Sequence, residues 1–107
     1  MRVCSVIMIL FVLVTGCAPS PSRGVVDDDA AYKIPAIKDA VASRDKDATP
    51  HLVADLEDDD PAIRFYAIEG LRRMTGETFG YRYYDHESAR KPAVDRWKNW
   101  LTERGRR

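Results

Sequence analysis

The stretch Thr49-Pro50-His51-Leu52-Val53-Ala54-Asp55-Leu56-Glu57-Asp58-Asp59-Asp60-Pro61-Ala62-Ile63-Arg64-Phe65-Tyr66-Ala67-Ile68-Glu69-Gly70-Leu71 decides the fold. Its apolar residues recur at helical spacing, Leu52 to Leu56 and then Ile63 to Ala67 to Leu71, so each set lines one helix face. Glu57-Asp58-Asp59-Asp60 interrupts both stripes. Asp60 stands where an N-cap residue precedes a proline in the first helical turn, a position that suits Pro61 because its missing N–H would be unpaired there anyway. The reading is two amphipathic helices joined by a short acidic turn.

The same start recurs in both directions. Pro35-Ala36-Ile37, Pro50-His51-Leu52, Pro61-Ala62-Ile63 and Pro92-Ala93-Val94 each set an aliphatic residue two positions after a proline. They predict four helix starts and helices near residues 33–43, 47–57, 61–75 and 87–104. Val94, Trp97 and Leu101 form the inward stripe of the last helix, with Trp100 widening it. Gly76 follows Met74 and Thr75 where a left-handed C-terminal residue belongs. No segment keeps the period-two alternation of a strand, so the chain is expected to be all-α. Residues 76–86 hold Phe79, Tyr81, Tyr83 and Tyr84, rings expected to fold back and cover the end of the helical stack.

Upstream, Arg2 precedes an apolar run from Val3 to Val14, shorter than the roughly 20 residues a spanning helix needs. It has the length of a signal-peptide core and ends in Val14-Thr15-Gly16-Cys17. These four residues resemble the lipobox of bacterial lipoproteins. The resemblance implies cleavage before Cys17, a diacylglycerol on its thiol and acylation of the new amino terminus. Several chains give lasting attachment where one holds marginally. Ala18 follows, in place of an aspartate that would resemble an inner-membrane retention signal, so the outer membrane facing the periplasm is the expected site. Cys4 is removed with the signal and Cys17 is consumed by lipid, which leaves no disulfide. Pro19, Ser20, Pro21, Ser22, Gly24 and Asp27 to Asp29 read as a solvated tether. The expected organisation is a signal peptide at 1–16, the lipidated cysteine and tether at 17–31, and a helical domain at 32–107.

Net charge is zero, yet its distribution is uneven. Residues 27–60 carry eleven acidic and four basic side chains, residues 61–107 six acidic and eleven basic. The split points to contact with another charged surface, and Asp55, Glu57, Arg72 and Arg73 are the candidate partner surface. The acidic run lacks the spacing of an EF-hand and suits a helix start. His51 and His86 have no second ligand at metal spacing. No nucleophile elbow, phosphate loop or CxxC occurs, so no catalytic constellation is expected.

Residues 49–71 also look like a HEAT repeat of the short bacterial kind: a first helix with Leu52, Val53 and Leu56, a turn ending Asp-Asp-Pro, and a second helix opening Ile63-Arg64 with Ala67 and Leu71. Asp60, Pro61, Ile63, Arg64, Ala67 and Leu71 are the repeat residues. The resemblance implies that Arg64 pairs with Asp58 or Asp60 and that Ala67 allows close helix contact. It covers about one repeat, where repeat arrays normally need three or more, so a capped minimal stack closed by a Trp-containing helix is expected. The implied function is a non-enzymatic, membrane-tethered interaction module with a protein partner in the cell envelope, no cofactor beyond the lipid and no nucleic acid. The alternative is a structural envelope lipoprotein touching peptidoglycan or lipid through Arg82, the tyrosines and the basic tail Arg104, Arg106 and Arg107.

Overall fold

Two of the helices, the first and the third, begin at an aspartate whose carboxylate accepts from a first-turn N–H, whereas the second and fourth start without a side-chain cap. In the computed structural model, which describes residues 29–106, the Asp29 carboxylate accepts from the Ala31 N–H at 2.9 Å and opens α1, Ala30–Ala42. The signal segment, Cys17 and nearly all of the tether lie outside the described residues, as does Arg107. A 3-10 turn, Lys46–Ala48, leads into α2, Thr49–Asp55. The Asp60 carboxylate accepts from Ala62 at 2.8 Å and starts α3, Pro61–Thr75. His86 precedes α4, Glu87–Gly105. There is no strand among the described residues, and the fold is all-α.

The third and fourth helices fall where the sequence puts them, whereas the proline rule holds only in part. Pro50 and Pro61 occupy first-turn positions. Pro35 and Pro92 do not; each lies inside its helix, in the second turn of α1 and α4. In α1, Asp29 caps the helix with its side chain while its carbonyl accepts from Tyr32 and Lys33, so the first turn forms before the proline is reached. The His86 carbonyl accepts from Ala89 and Arg90 in the same way. Both prolines are exposed, where water can satisfy the carbonyl each one leaves unpaired.

The helices pack as α1 on α3, α3 on α2 and α2 on α4. Ile37, Leu52, Leu56, Ile63, Leu71 and Trp97 are nearly or wholly removed from solvent and form the centre of the core. Burying a side chain of this size is worth about 1.5–3 kcal/mol, which a chain this short needs from each of them. Close approach of α1 to α3 depends on Gly70, where a β-carbon would stand 2.6 Å from Val41 Cγ2. Gly76 ends α3 in the left-handed region, φ 80°, with its N–H on the Arg72 carbonyl at 2.8 Å.

The aromatic segment closes the far end, as its composition suggests. Tyr81 is buried and its hydroxyl donates to the Leu56 carbonyl at 2.6 Å, satisfying a group that the end of α2 leaves open. The Trp97 indole N–H donates to the Thr78 carbonyl at 3.1 Å, and Phe79 meets the Trp97 ring edge to face at 4.7 Å. Trp100 is half-buried beside Trp97, so the two tryptophans divide as the helical stripe predicts. Tyr84 departs from the expectation: it is 67% exposed and covers no core.

Candidate functional site

On the outer side of the α1–α3 contact lies an open groove of about 730 Å³. Ile37 and Val41 of α1 and Gly70 and Met74 of α3 supply its apolar floor. Gly70 matters twice here, since the absence of a side chain both lets Val41 in and keeps the floor smooth. Tyr66 and Phe65 form one wall, and Phe65 is 38% exposed, unusual for so large an apolar ring. Lys38 and Asp39 rise from α1, Arg44 from the turn just after it, and Glu69 and Arg73 from α3.

The aromatic wall continues beyond the groove. Phe65 meets Tyr66 at 5.3 Å and Tyr83 at 5.1 Å between ring centres, and Tyr83 meets Tyr84 at 5.3 Å, all edge to face. Cations sit at both ends of this row, Lys38 5.9 Å from the Tyr66 ring centre and Arg82 6.0 Å from that of Tyr84. The row joins α3 to the aromatic segment and presents alternating ring faces and edges rather than one flat platform.

Arg44 has an unusual backbone. It follows the Ser43 cap of α1 with φ 52°, a left-handed conformation that costs an L residue about 1–2 kcal/mol and is usually given to glycine. Its N–H bonds the Val41 carbonyl at 3.1 Å and the next N–H, of Asp45, bonds Ala40 at 2.9 Å, which holds the turn in that shape.

The candidate partner residues separate into different environments. Asp55 is buried and forms an ion pair with Lys33 at 3.2 Å, so its carboxylate is not offered to a partner; this corrects the expectation of an exposed acid there. Its position on α2 turns it toward α1, a facing that helical spacing within α2 alone does not reveal. Glu57 is exposed and paired with Lys98 at 3.0 Å. Arg72 is paired with Glu69 at 2.8 Å, a hydrogen bond that holds the Glu69 carboxyl below its ordinary value. Arg73 alone of the four lines the groove.

Lys33 also reaches Asp58 at 3.3 Å. Burial acts to lower the Lys33 ammonium, but the two carboxylates together outweigh it and hold the group above its ordinary value. Burial pushes Asp55 up, against the pull of Lys33, because its Oδ2 is enclosed with no hydrogen-bond partner.

Arg64 also departs from expectation. Its guanidinium bonds main-chain oxygens, Asp58 at 2.7 Å, Asp59 at 2.9 Å and Tyr83 at 3.0 Å, rather than the carboxylates of Asp58 or Asp60. Those carboxylates are occupied elsewhere: Asp58 accepts from the Asp60 N–H and from Lys33, and Asp60 caps α3. Of the other repeat residues, Ile63, Ala67 and Leu71 are buried in the core, and Pro61 lies in the first turn of α3.

The groove itself is not apparent from the sequence. Its one local trace is Gly70, a glycine in an otherwise continuous helical stripe, which signals a close neighbour without naming it. Among the described residues, no group of three His, Cys, Asp or Glu side chains is placed to hold a metal ion, and no helix is long and apolar enough to cross a membrane. The described residues thus form a small all-α stack with an open groove between α1 and α3. No protein-family model, curated protein or solved structure matches it.

Proposed function

We propose that this chain is a membrane-tethered, non-enzymatic interaction module of a bacterial cell envelope, built on HEAT-like helical hairpins, and that the α1–α3 groove receives its protein partner. The observation that carries the reading is the groove: an apolar floor and a part-exposed aromatic wall inside a charged rim. An exposed apolar recess with a polar border is the usual form of a recognition surface. The packing order supports the HEAT-like reading, since hairpin partners α2 and α3 touch and alternate helices α1 and α3, and α2 and α4, pack side by side. The anchor rests on Val14 to Cys17. From Cys17 to Asp29 the chain spans at most about 40 Å, so the domain works close to the membrane that holds it.

A photo-crosslinking residue at Phe65, compared with one at Asn99 of α4, tests the groove in cells. The groove position should yield one dominant adduct and the α4 position none; the reverse pattern moves the binding surface to α4. Cys17→Ser should release the protein from the membrane fraction, and a wild-type chain that is already soluble refutes the anchor.

A second reading, a structural lipoprotein touching peptidoglycan or lipid, is favoured by exposed Tyr84 with Arg82 against it and by Arg104 4.6 Å from the Trp100 ring centre. Edge-to-face rings make a poor stacking surface for sugars, so it ranks second. Copurified muropeptide or lipid, in place of a protein adduct, would promote it.

A further inference from the structure

The rim of the groove carries an electrostatic preference. Lys38, Arg44 and Arg73 face it, and none of the three makes an ion pair among the described residues. Of the two acids on the rim, Glu69 is taken up by Arg72, leaving Asp39 against three cations. A basic occupant would be repelled. A purely apolar one would strip water from three cations and give nothing back.

Arg44 supplies an independent argument. The chain holds a long charged residue in a left-handed conformation that glycine adopts without cost, and the side chain so placed stands on the groove rim. A left-handed residue here closes α1 in a common way, and with arginine in place of glycine the turn also carries a guanidinium to the rim. Between the cations, Val41 and Met74 are half-buried and Phe65 is exposed, a surface for apolar anchors. Along α1 the groove runs from Ile37 to Ala42, about one and a half helical turns or about 8 Å, and continues to Arg44 past the helix end, the length of a short peptide segment rather than a whole domain face.

Resting on the groove as the docking surface, we propose that its occupant is an acidic peptide segment of the partner protein, with apolar side chains on the floor and carboxylates met by Lys38, Arg44 and Arg73. Arginine suits this task because its planar fork takes a carboxylate with two parallel bonds.

The test uses the purified full chain and two labelled synthetic 14-residue peptides. Both carry leucines at i, i+3, i+4 and i+7; one has glutamates at the remaining positions and the other lysines. Fluorescence anisotropy should show the glutamate peptide held at least tenfold more tightly, and its affinity should fall several-fold between 50 and 300 mM salt as the rim charges are screened. Arg44→Gly should weaken that binding several-fold while the melting temperature stays level or rises, because glycine relieves the backbone it replaces. Arg73→Gln should weaken it without a change in fold. Equal affinity for the two peptides, no detectable hold on the glutamate peptide, or full affinity in the Arg44→Gly/Arg73→Gln double variant overturns the acidic-segment proposal. The groove as a docking surface is judged separately by the crosslinks from Phe65, so failure of that reading is distinguishable from failure of the acidic-segment proposal.

Discussion

Gly70 of α3 faces Val41 of α1 so closely that a β-carbon on Gly70 would stand 2.6 Å from Val41 Cγ2. Gly70→Ala therefore sets two effects against each other. Alanine gains about 1 kcal/mol of helix propensity, but Val41 is β-branched and stiff in a helix, so overpacking of about 1–3 kcal/mol should win. Urea denaturation should show a net loss for Gly70→Ala. In a Val41→Ala background the same substitution should become stabilising by about 1 kcal/mol. A stabilising effect in both backgrounds would show that the helices are not held apart by this contact.

Lys33 and Asp55 form a buried pair whose members depend on each other. Asp55→Ala or Lys33→Met alone leaves a buried charge facing fewer partners and should cost about 3–5 kcal/mol. Lys33→Met/Asp55→Leu removes both charges and should cost far less than the two single losses combined. Additive losses in chemical denaturation would mean the pair is not coupled.

Alkaline conditions should weaken the fold through two groups. Lys33 is held above its ordinary value by Asp55 and Asp58 against the opposing effect of burial, and burial raises the Tyr81 phenol. In both cases the folded protein keeps its proton more tightly than the unfolded chain does. Their stabilisation is complete below about pH 10, the unfolded values, and is lost as pH rises through the folded ones. Melting temperature followed from pH 8 to 11 should fall steeply above about pH 10, and Lys33→Met should flatten part of that fall. An unchanged slope in the variant would remove Lys33 as a cause.

Arg64 ties the acidic turn and the aromatic segment to the start of α3 through three main-chain oxygens. Hydrogen bonds from a charged donor are worth about 1.5–3 kcal/mol each and do not add fully. Arg64→Met should cost about 2–4 kcal/mol. Arg64→Lys should recover little of it, since one ammonium cannot span all three acceptors. Full rescue by lysine in a thermal melt would show that charge, not the fork, is what this position needs.

The two tryptophans should differ in weight. Trp97 is fully buried and Trp100 only half-buried. Trp97→Ala should cost about 3–5 kcal/mol, and Trp100→Ala less than half as much. Comparable losses from the two, read by circular dichroism during unfolding, would place Trp100 in the core as well.

The elements that local chemistry controls were readable from the sequence. Asp60-Pro61, the stripe Ile63–Ala67–Leu71 and Gly76 mark both ends and the inner face of α3, because capping, periodicity and left-handed backbone are settled within a few residues. Pro35 misled because Asp29, read as part of the tether, caps α1 earlier. Asp55 misled for a different reason. Its burial depends on Lys33, twenty-two positions away, and only the packing of both α1 and α2 against α3 brings them together. The groove is of the same kind: its floor is shared by two helices separated by the whole of α2, so no window of sequence contains it. Of the three rim cations the sequence reading singles out only Arg73; Lys38 and Arg44 lie in the segment whose net charge is acidic, so a bulk charge count hides them.

The Leu56 carbonyl oxygen accepts from the Tyr81 hydroxyl at 2.6 Å and from the Arg90 guanidinium at 3.2 Å. One acceptor at the end of α2 thus fastens both the irregular segment and the last helix. Segment 76–86 lacks a regular hydrogen-bond ladder and would by itself belong among the parts of a protein that open first. The segment is also tied directly to α4, through Arg90 to the Asp85 carbonyl, Arg96 to that of Phe79 and Trp97 to that of Thr78, so its opening breaks bonds to both α2 and α4. Its exchange with solvent is thereby linked to that of the core, and this end of the molecule behaves as one cooperative unit.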